Sequence, residues 1–368
     1  MSLVVNGHNI IWMGLASFLV SLFLVPICKK VAYHVNALDI PNERKVHKIP
    51  MPRLGGLAIY LSFLICYMFF GQITATMLSI VIASFVIILF GIVDDINPLK
   101  ARYKLIGQII AAVIVVFYGN LILKDAYIFN YYVNFGELAP YLTIFFIIAC
   151  INAINLIDGL DGLASGIGAI YYITIAIIAV MTNRIGGLDI VLSILMTGAT
   201  LGFLVFNFPP AKIFMGDTGS QFLGFMIAII SLLGFKNVTF NSLVVPIIIL
   251  AIPIFDTLFA ILRRFLKGES IGTPDKEHFH HQLLKMKFST RTTVLIIYVI
   301  DMAFAAISIF TTIGDNKVAT YLYAAMAIML LFVVLKTDIL FEHKKRDTVE
   351  EPTPTDVDKS KKKKKSKR

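Results

Sequence analysis

Residues 141–162 read YLTIFFIIACINAINLIDGLDG, an uncharged apolar run that ends in an evenly spaced row of amides and carboxylates. An α-helix needs ~20 apolar residues to cross a hydrocarbon core about 30 Å thick, and residues 141–157 come close to that length. Asn152, Asn155 and Asp158 recur every three residues, so they share one helix face, and Asp161 extends the row across a glycine-flanked turn. Four such groups at the rim of an apolar bundle are costly unless they bind something, and a simple cap would use one of them. The stretch reads as a membrane span whose end carries chemistry.

Similar runs recur on both sides of it. Of 368 residues, 58% are apolar and 15% charged, against roughly 45–50% and about 25% in a soluble domain. A water-soluble enzyme is excluded, and the expected fold is an all-α polytopic membrane bundle. About eleven spans are expected, over residues 10–28, 54–70, 75–93, 105–121, 141–157, 163–181, 188–206, 220–235, 241–262, 292–313 and 318–335. The first run has no basic region ahead of it and no small-residue cleavage site, so it reads as a retained span. Cys28, Cys66 and Cys150 are far apart in or beside apolar runs and read as packing residues.

The chain carries 33 Lys and Arg against 23 Asp and Glu. In a soluble protein that excess would suggest nucleic acid; here it reports topology, and no nucleic-acid partner is expected. Of the 33, 29 fall on alternate connections and after the last span, while Lys124, Arg184, Lys236 and Lys317 fall on the other side. By the positive-inside rule the N-terminus lies outside and the C-terminus in the cytoplasm of a plasma-membrane protein. Residues 1–335 form the transmembrane catalytic domain. The Lys-rich segment 336–368 has too little apolar area to fold and is expected to be a disordered cytoplasmic tail drawn to anionic lipid.

The chemically capable residues cluster on that same side. Asp94 and Asp95 close the third span, with Lys100, Arg102 and Lys104 behind them. Adjacent carboxylates repel and call for Lys, Arg or a hard cation such as Mg²⁺, although Asp-Asp before Asn97-Pro98 is also good turn chemistry. Asp217-Thr218-Gly219-Ser220 reads as a helix N-cap, and Asp217 also lies on the side where it could supply a metal oxygen. His278, His280 and His281 share the largest inner loop with Arg263, Arg264 and four lysines, which favours a phosphate-facing surface over a zinc site. Asp256 and Asp301 are intramembrane acids open to either a functional reading or a structural hydrogen bond. Carboxylates for Mg²⁺, cations for phosphate, an aromatic Phe214 for a base and a membrane for solvent together suggest phosphoryl transfer from a soluble donor to a lipid.

The chain resembles the polyprenyl-phosphate N-acetylhexosamine-1-phosphate transferase family. The resemblance runs from about Lys29 to Arg291 and is carried by Pro52-Arg-Leu-Gly-Gly56, Gly91-Ile-Val-Asp-Asp95, Asn152 through Gly162, Pro210 through Gly219, Pro253-Ile-Phe-Asp256 and His278-x-His280-His281. The histidine pattern and the eleven spans are similar to the branch that uses UDP-N-acetylglucosamine. The basic tail and the Asn152–Ala164 run are similar to the Gram-positive enzymes that begin wall teichoic acid linkage.

The resemblance implies transfer of N-acetylglucosamine 1-phosphate from UDP-N-acetylglucosamine to undecaprenyl phosphate, releasing UMP. It implies Mg²⁺, with Mn²⁺ as a substitute, on Asp217 and Asn155. Asp94 and Asp95 would be catalytic acids, Asp94 acting as base toward the lipid phosphate, with Asp158, His280 and His281 beside the reacting groups. Lys104 would contact the diphosphate. Asp161, Asn207 and Phe214 would hold uracil, and Lys48, Arg53 and His278 would complete the substrate site. A homodimer is a further expectation, and a route through an aspartyl phosphate is the alternative to direct displacement. The rival readings are a phospho-N-acetylmuramoyl-pentapeptide transferase and a membrane transporter.

Overall fold

A computed structural model describes residues 3–41, 49–128, 131–182, 186–236, 250–267 and 279–313, with single positions between 318 and 328. The chain is mostly helical. Helices α1 (Ile10–His34), α2 (Gly55–Phe70), α3 (Ala75–Ile96) and α4 (Ala101–Val113) lead, α4 running on as a π-helical turn over Ile114–Tyr118. Then follow α5 (Ala139–Ile157), α6 (Leu163–Met181), α7 (Leu188–Asn207), α8 (Gly216–Lys236), α9 (Ala251–Lys267), the short α10 (Phe279–Lys285) and α11 (Thr290–Ile313).

Among the described residues, eight helices are long and apolar enough to cross a membrane, and Gly55–Phe70 is a shorter apolar one. The expected fourth span begins earlier than its apolar run, because Ala101–Lys104 already wind into it. Of the expected ninth span, α9 occupies the second half and extends past it to Lys267, while 241–249 lie outside the described residues, as do most of 318–335 and all of 336–368. Three short antiparallel pairs were not expected: β1 (Val4–Val5) with β2 (His8–Asn9), β3 (Leu38–Asp39) with β4 (Met51–Pro52), and β5 (Asp125–Ile128) with β6 (Tyr131–Asn134). The second pair positions the site, since it ties the end of α1 to the residues that enter α2.

Helix α8 is the axis of the bundle, buried along almost its whole apolar length and packed by α2, α3, α5, α6 and α7. Small residues permit this, as in membrane bundles generally, where close backbone approach replaces the hydrophobic drive. Gly56 lies against Gly219 so closely that a Cβ at either position would strike the other helix. Between α1 and α7, Ser17 and Ser21 donate to Leu195 O and Ala199 O, each at 2.7 Å. The outer faces are apolar, with Trp12, Phe23, Met68, Phe69 and Phe145 exposed as lipid contact requires. Helix α9 is inverted in the same sense: Phe255, Leu258 and Leu262 face outward while Asp256, Arg263 and Arg264 are buried.

Candidate functional site

The end of α3, the starts of α4 and α8 and the end of α5 meet at one end of the bundle. Asp95 is the joint. Its Oδ1 accepts the Asp217 N–H at 2.9 Å, and its Oδ2 accepts the Thr218 N–H at 3.0 Å and the Thr218 hydroxyl at 2.6 Å. The first N–H groups of a helix have no partner within it, and here a carboxylate from a neighbouring helix satisfies two of them. The expectation that Asp217–Ser220 caps its own helix is therefore corrected: Asp95 is the cap, which leaves the Asp217 side chain to other work. Gly216 makes the approach feasible, with φ +72° and no space for a Cβ beside the Asp95 carboxylate.

Asp94 realises both of its readings. Its Oδ1 accepts the Leu99 N–H at 2.7 Å, closing the Asn97-Pro98 turn, and its Oδ2 lies 2.8 Å from Lys104 Nζ. Lys104 reaches across to Asp217 Oδ2 at 2.6 Å. Arg53, entering from β4, lies 3.3 Å from Asp95, 3.5 Å from Asp217 and 3.7 Å from Asp39. Burial alone would lower the Arg53 pKa, but Asp95, Asp217, Asp39 and Asp94 hold it above the ordinary guanidinium value.

Asp94, Asp95 and Asp217 each offer an oxygen within 4.8 Å of the others. Fully ionised, the three carboxylates outnumber Arg53 and Lys104 by one charge, and all-oxygen donors suit a hard divalent cation such as Mg²⁺. Of the expected pair of ligands, Asp217 belongs to this group and Asn155 stands near it, its amide donating to Ser220 Oγ at 2.8 Å, one turn along α8 from Asp217.

Beside Asp217 opens a cleft of about 760 Å³, lined by Arg53, Asn155, Asp158, Asp161, Asn207, Phe214, Asp217 and His281 among others. That volume suits a nucleotide-sized ligand. Asp158, at the end of α5, is pushed up to about 8 by burial first and then by Asp217, Asp95 and Asp161, against the pull of Arg53. Phe214 is pinned through its backbone, its N–H donating to Pro52 O at 2.8 Å and its carbonyl accepting from Gly55 N at 3.0 Å. Asp161 Oδ2 accepts the Ala211 N–H at 2.9 Å.

Two expected residues sit differently from the sequence reading. Asn207 lines the cleft but spends its amide on the fold, Oδ1 accepting from Gly162 N and Ser165 Oγ and Nδ2 donating to Ile213 O. His280 is buried against Gly159, where its ring leaves no space for a Cβ, so it backs the Asp158 loop while His281 lines the cleft. Lys48 and His278 lie outside the described residues.

Other residues at the site were missed. Asp39 and Arg291 line the cleft, Arg291 with its guanidinium 5.4 Å from the Phe208 ring centroid. Tyr298 donates to the Gly162 carbonyl, and Gln108 and Gln221 lie behind Asp217. Of the two intramembrane acids, Asp256 accepts the Phe279 N–H at 2.8 Å and so holds the start of the histidine-bearing α10. Asp301 is fully buried, and its oxygens have no hydrogen-bond partner among the described residues.

Residues 77–235 match the model of glycosyl transferase family 4. A probable undecaprenyl-phosphate N-acetylglucosaminyl 1-phosphate transferase of Bacillus subtilis (strain 168) is 42% identical over 90% of this chain and 93% of its own length. A decaprenyl-phosphate N-acetylglucosaminephosphotransferase of Mycolicibacterium smegmatis is 32% identical over 92% and 90%. An undecaprenyl-phosphate alpha-N-acetylglucosaminyl 1-phosphate transferase of Escherichia coli O157:H7 is 29% identical over 79% and 81%.

Proposed function

The chain belongs to glycosyl transferase family 4, a membrane transferase family, and on that premise we propose that it transfers N-acetylglucosamine 1-phosphate from UDP-N-acetylglucosamine to undecaprenyl phosphate. UMP is released and undecaprenyl-diphospho-N-acetylglucosamine forms, as the first membrane step toward wall teichoic acid or a related envelope polymer. The observation that carries the reading is the Asp94–Asp95–Asp217 cluster, bridged by Lys104 and Arg53, whose Asp217 and Arg53 line a cleft that also holds Phe214.

A phosphate oxygen of the lipid attacks the β-phosphorus of the nucleotide sugar, and the bond to the oxygen shared with the α-phosphorus breaks. One phosphoanhydride replaces another, so the equilibrium lies near unity and added UMP reverses the reaction. Arg53 and Lys104 supply positive charge for the phosphoryl oxygens, where losing one such preorganised donor costs roughly 10²–10³ in rate. A divalent cation held by Asp217 and Asn155 would add Lewis-acid stabilisation of the same oxygens. Asp94 has a small task as base, because a phosphate monoester with a second pKa near 6 is mostly dianionic at neutral pH. Phe214 stacks on uracil, and Asp161 receives one of its polar edges.

The site faces the cytoplasm, where UDP-sugars are, and its depth at helix ends meets the lipid phosphate while the prenyl tail stays in hydrocarbon. The basic connections support that orientation. The relatives, named as N-acetylglucosamine 1-phosphate transferases, favour N-acetylglucosamine over the muramoyl-pentapeptide donor and over a carrier. The test is UMP release by detergent-purified protein with Mg²⁺ and undecaprenyl phosphate, offering each UDP-sugar in parallel. Release with UDP-N-acetylglucosamine alone is expected; release with the pentapeptide donor alone, or with neither, overturns the assignment.

A further inference from the structure

Three primary amides form a directed chain through the apolar interior behind Asp217. Asn152 Nδ2 donates to Gln108 Oε1 at 2.8 Å, Gln108 Nε2 donates to Gln221 Oε1 at 3.2 Å, and Gln221 Nε2 lies 3.4 Å from Asp217 Oδ2. The links cross from α5 to α4 to α8. Gln108 is 2% exposed and Gln221 1%. Amides buried this deeply are costly unless each donor and acceptor is met, and their end-to-end arrangement meets them.

The direction of the chain is fixed at its far end. Asn152 Nδ2 also donates to the carbonyl of Ile148 on its own helix at 2.8 Å. With its NH₂ committed to a backbone acceptor, Asn152 can present only N–H to Gln108. Gln108 must then answer with its carbonyl and turn its own NH₂ toward Gln221, which in turn shows N–H to the carboxylate. Were Gln221 to flip, its carbonyl dipole would oppose the charge on Asp217. Lys104 occupies the same Oδ2, so the amide and the ammonium together set how that carboxylate is turned.

We infer that Gln108 is a positioning residue: through Gln221 it orients the Asp217 carboxylate for a divalent cation, with Asn152 setting the direction of the chain. The inference rests on the reading of Asp217 as a metal ligand. Gln221 is the partner one shell out from the metal ligand, where such contacts are typically worth roughly 10–100-fold in metal affinity, and Gln108, one step behind it, takes the low end of that range.

The experiment titrates Mn²⁺ into detergent-purified protein, reading free Mn²⁺ by electron paramagnetic resonance, for the wild type, Gln108→Leu, Asn152→Leu and the double variant. Gln108→Leu should weaken Mn²⁺ binding about tenfold, and raise the Mn²⁺ needed for half-maximal UMP release equally. The KM for UDP-N-acetylglucosamine at saturating Mn²⁺ should stay at the wild-type value, which a general loss of structure would not allow. Because Asn152 acts only through Gln108, the double variant should bind no worse than Gln108→Leu alone. Wild-type Mn²⁺ affinity in Gln108→Leu, or independent multiplying effects of the two substitutions, overturns the inference. Should Gln108→Leu not fold, Asn152→Leu carries the test with an expected loss of several-fold, and unchanged affinity there overturns it too. A wild type that binds no Mn²⁺ instead overturns the metal reading of Asp217, and the inference falls with it.

Discussion

Replacing Asp95 with asparagine separates a cap from a chemical participant. The carboxylate accepts three hydrogen bonds at 2.6–3.0 Å from the first turn of α8 and sits 3.3 Å from Arg53, all in a position 3% exposed. The substituted amide keeps one acceptor oxygen and turns an NH₂ group toward N–H or O–H donors, so at least one donor is left facing another. Losing a hydrogen bond to a charged acceptor costs about 1.5–3 kcal/mol, and stranding a buried partner adds to that. A total of about 2–4 kcal/mol lowers the apparent melting temperature by about 4–8 °C, at ~2 °C per kcal/mol. Asp217 rides on the turn that Asp95 holds, so UMP release should fall as well. The assay pairs thermal unfolding in detergent with initial rates, for Asp95→Asn beside Asp217→Asn. An Asp95→Asn variant that melts like the wild type yet has lost turnover would refute the capping argument and restore Asp95 as a group acting on substrate.

Asp217→Asn should abolish UMP release while the folded protein is still recovered from the membrane, and substantial Mg²⁺-dependent turnover in it would contradict the metal assignment. Phe214→Ala should raise the KM for UDP-N-acetylglucosamine more than it lowers kcat, since its backbone contacts survive and only the stacking face goes; equal KM values would remove the uracil proposal. The Asp158 carboxyl, held up to about 8 against an unfolded value near 3.9, keeps its proton in the fold over a range where the unfolded chain has lost it. Its contribution therefore falls as pH rises from about 4 to about 8, and Asp158→Asn should gain melting temperature over the wild type on going from pH 5 to pH 8. An unchanged difference between the two pH values would speak against this.

Spans and motif clusters were legible because the bilayer writes them plainly: length and absence of charge for the helices, polar residues where helices end. Partner choice was not. Nothing local in Asp94-Asp95 tells which of two neighbours turns toward Lys104 and which caps α8, because that depends on the half-turn by which α3 meets a helix 122 residues later in the chain. Asn152 and Asn155 share a stripe, yet one joins Gln108 and the other Ser220, on two different helices. For Gln108 and Gln221 the available signal is an amide inside an apolar run, which says that a partner is needed but not which one. Arg291 lies just before an apolar run, where a basic residue is expected on topological grounds alone, so nothing local marks it as lining the cleft.

The place of Asp217 follows from what the middle of a membrane bundle permits. A helix at the axis, like α8, must be apolar along most of its length, and Gly219 against Gly56 of α2, with Gly91 of α3 against Thr218, lets those two helices close upon it. Its N-terminus is the exception, because the free N–H groups there need acceptors and the positive end of the helix dipole favours negative charge. Asp95 supplies the acceptors from outside, so Asp217 can stand in the first turn with the dipole in its favour and its oxygens directed at Lys104 and Arg53. The most buried helix of the bundle thus places a charged group at the cleft by using the one position where its backbone already calls for an anion. A carboxylate one or two turns deeper on α8 would lose that dipole, both cations and the cleft, which is the situation of Asp301 on α11.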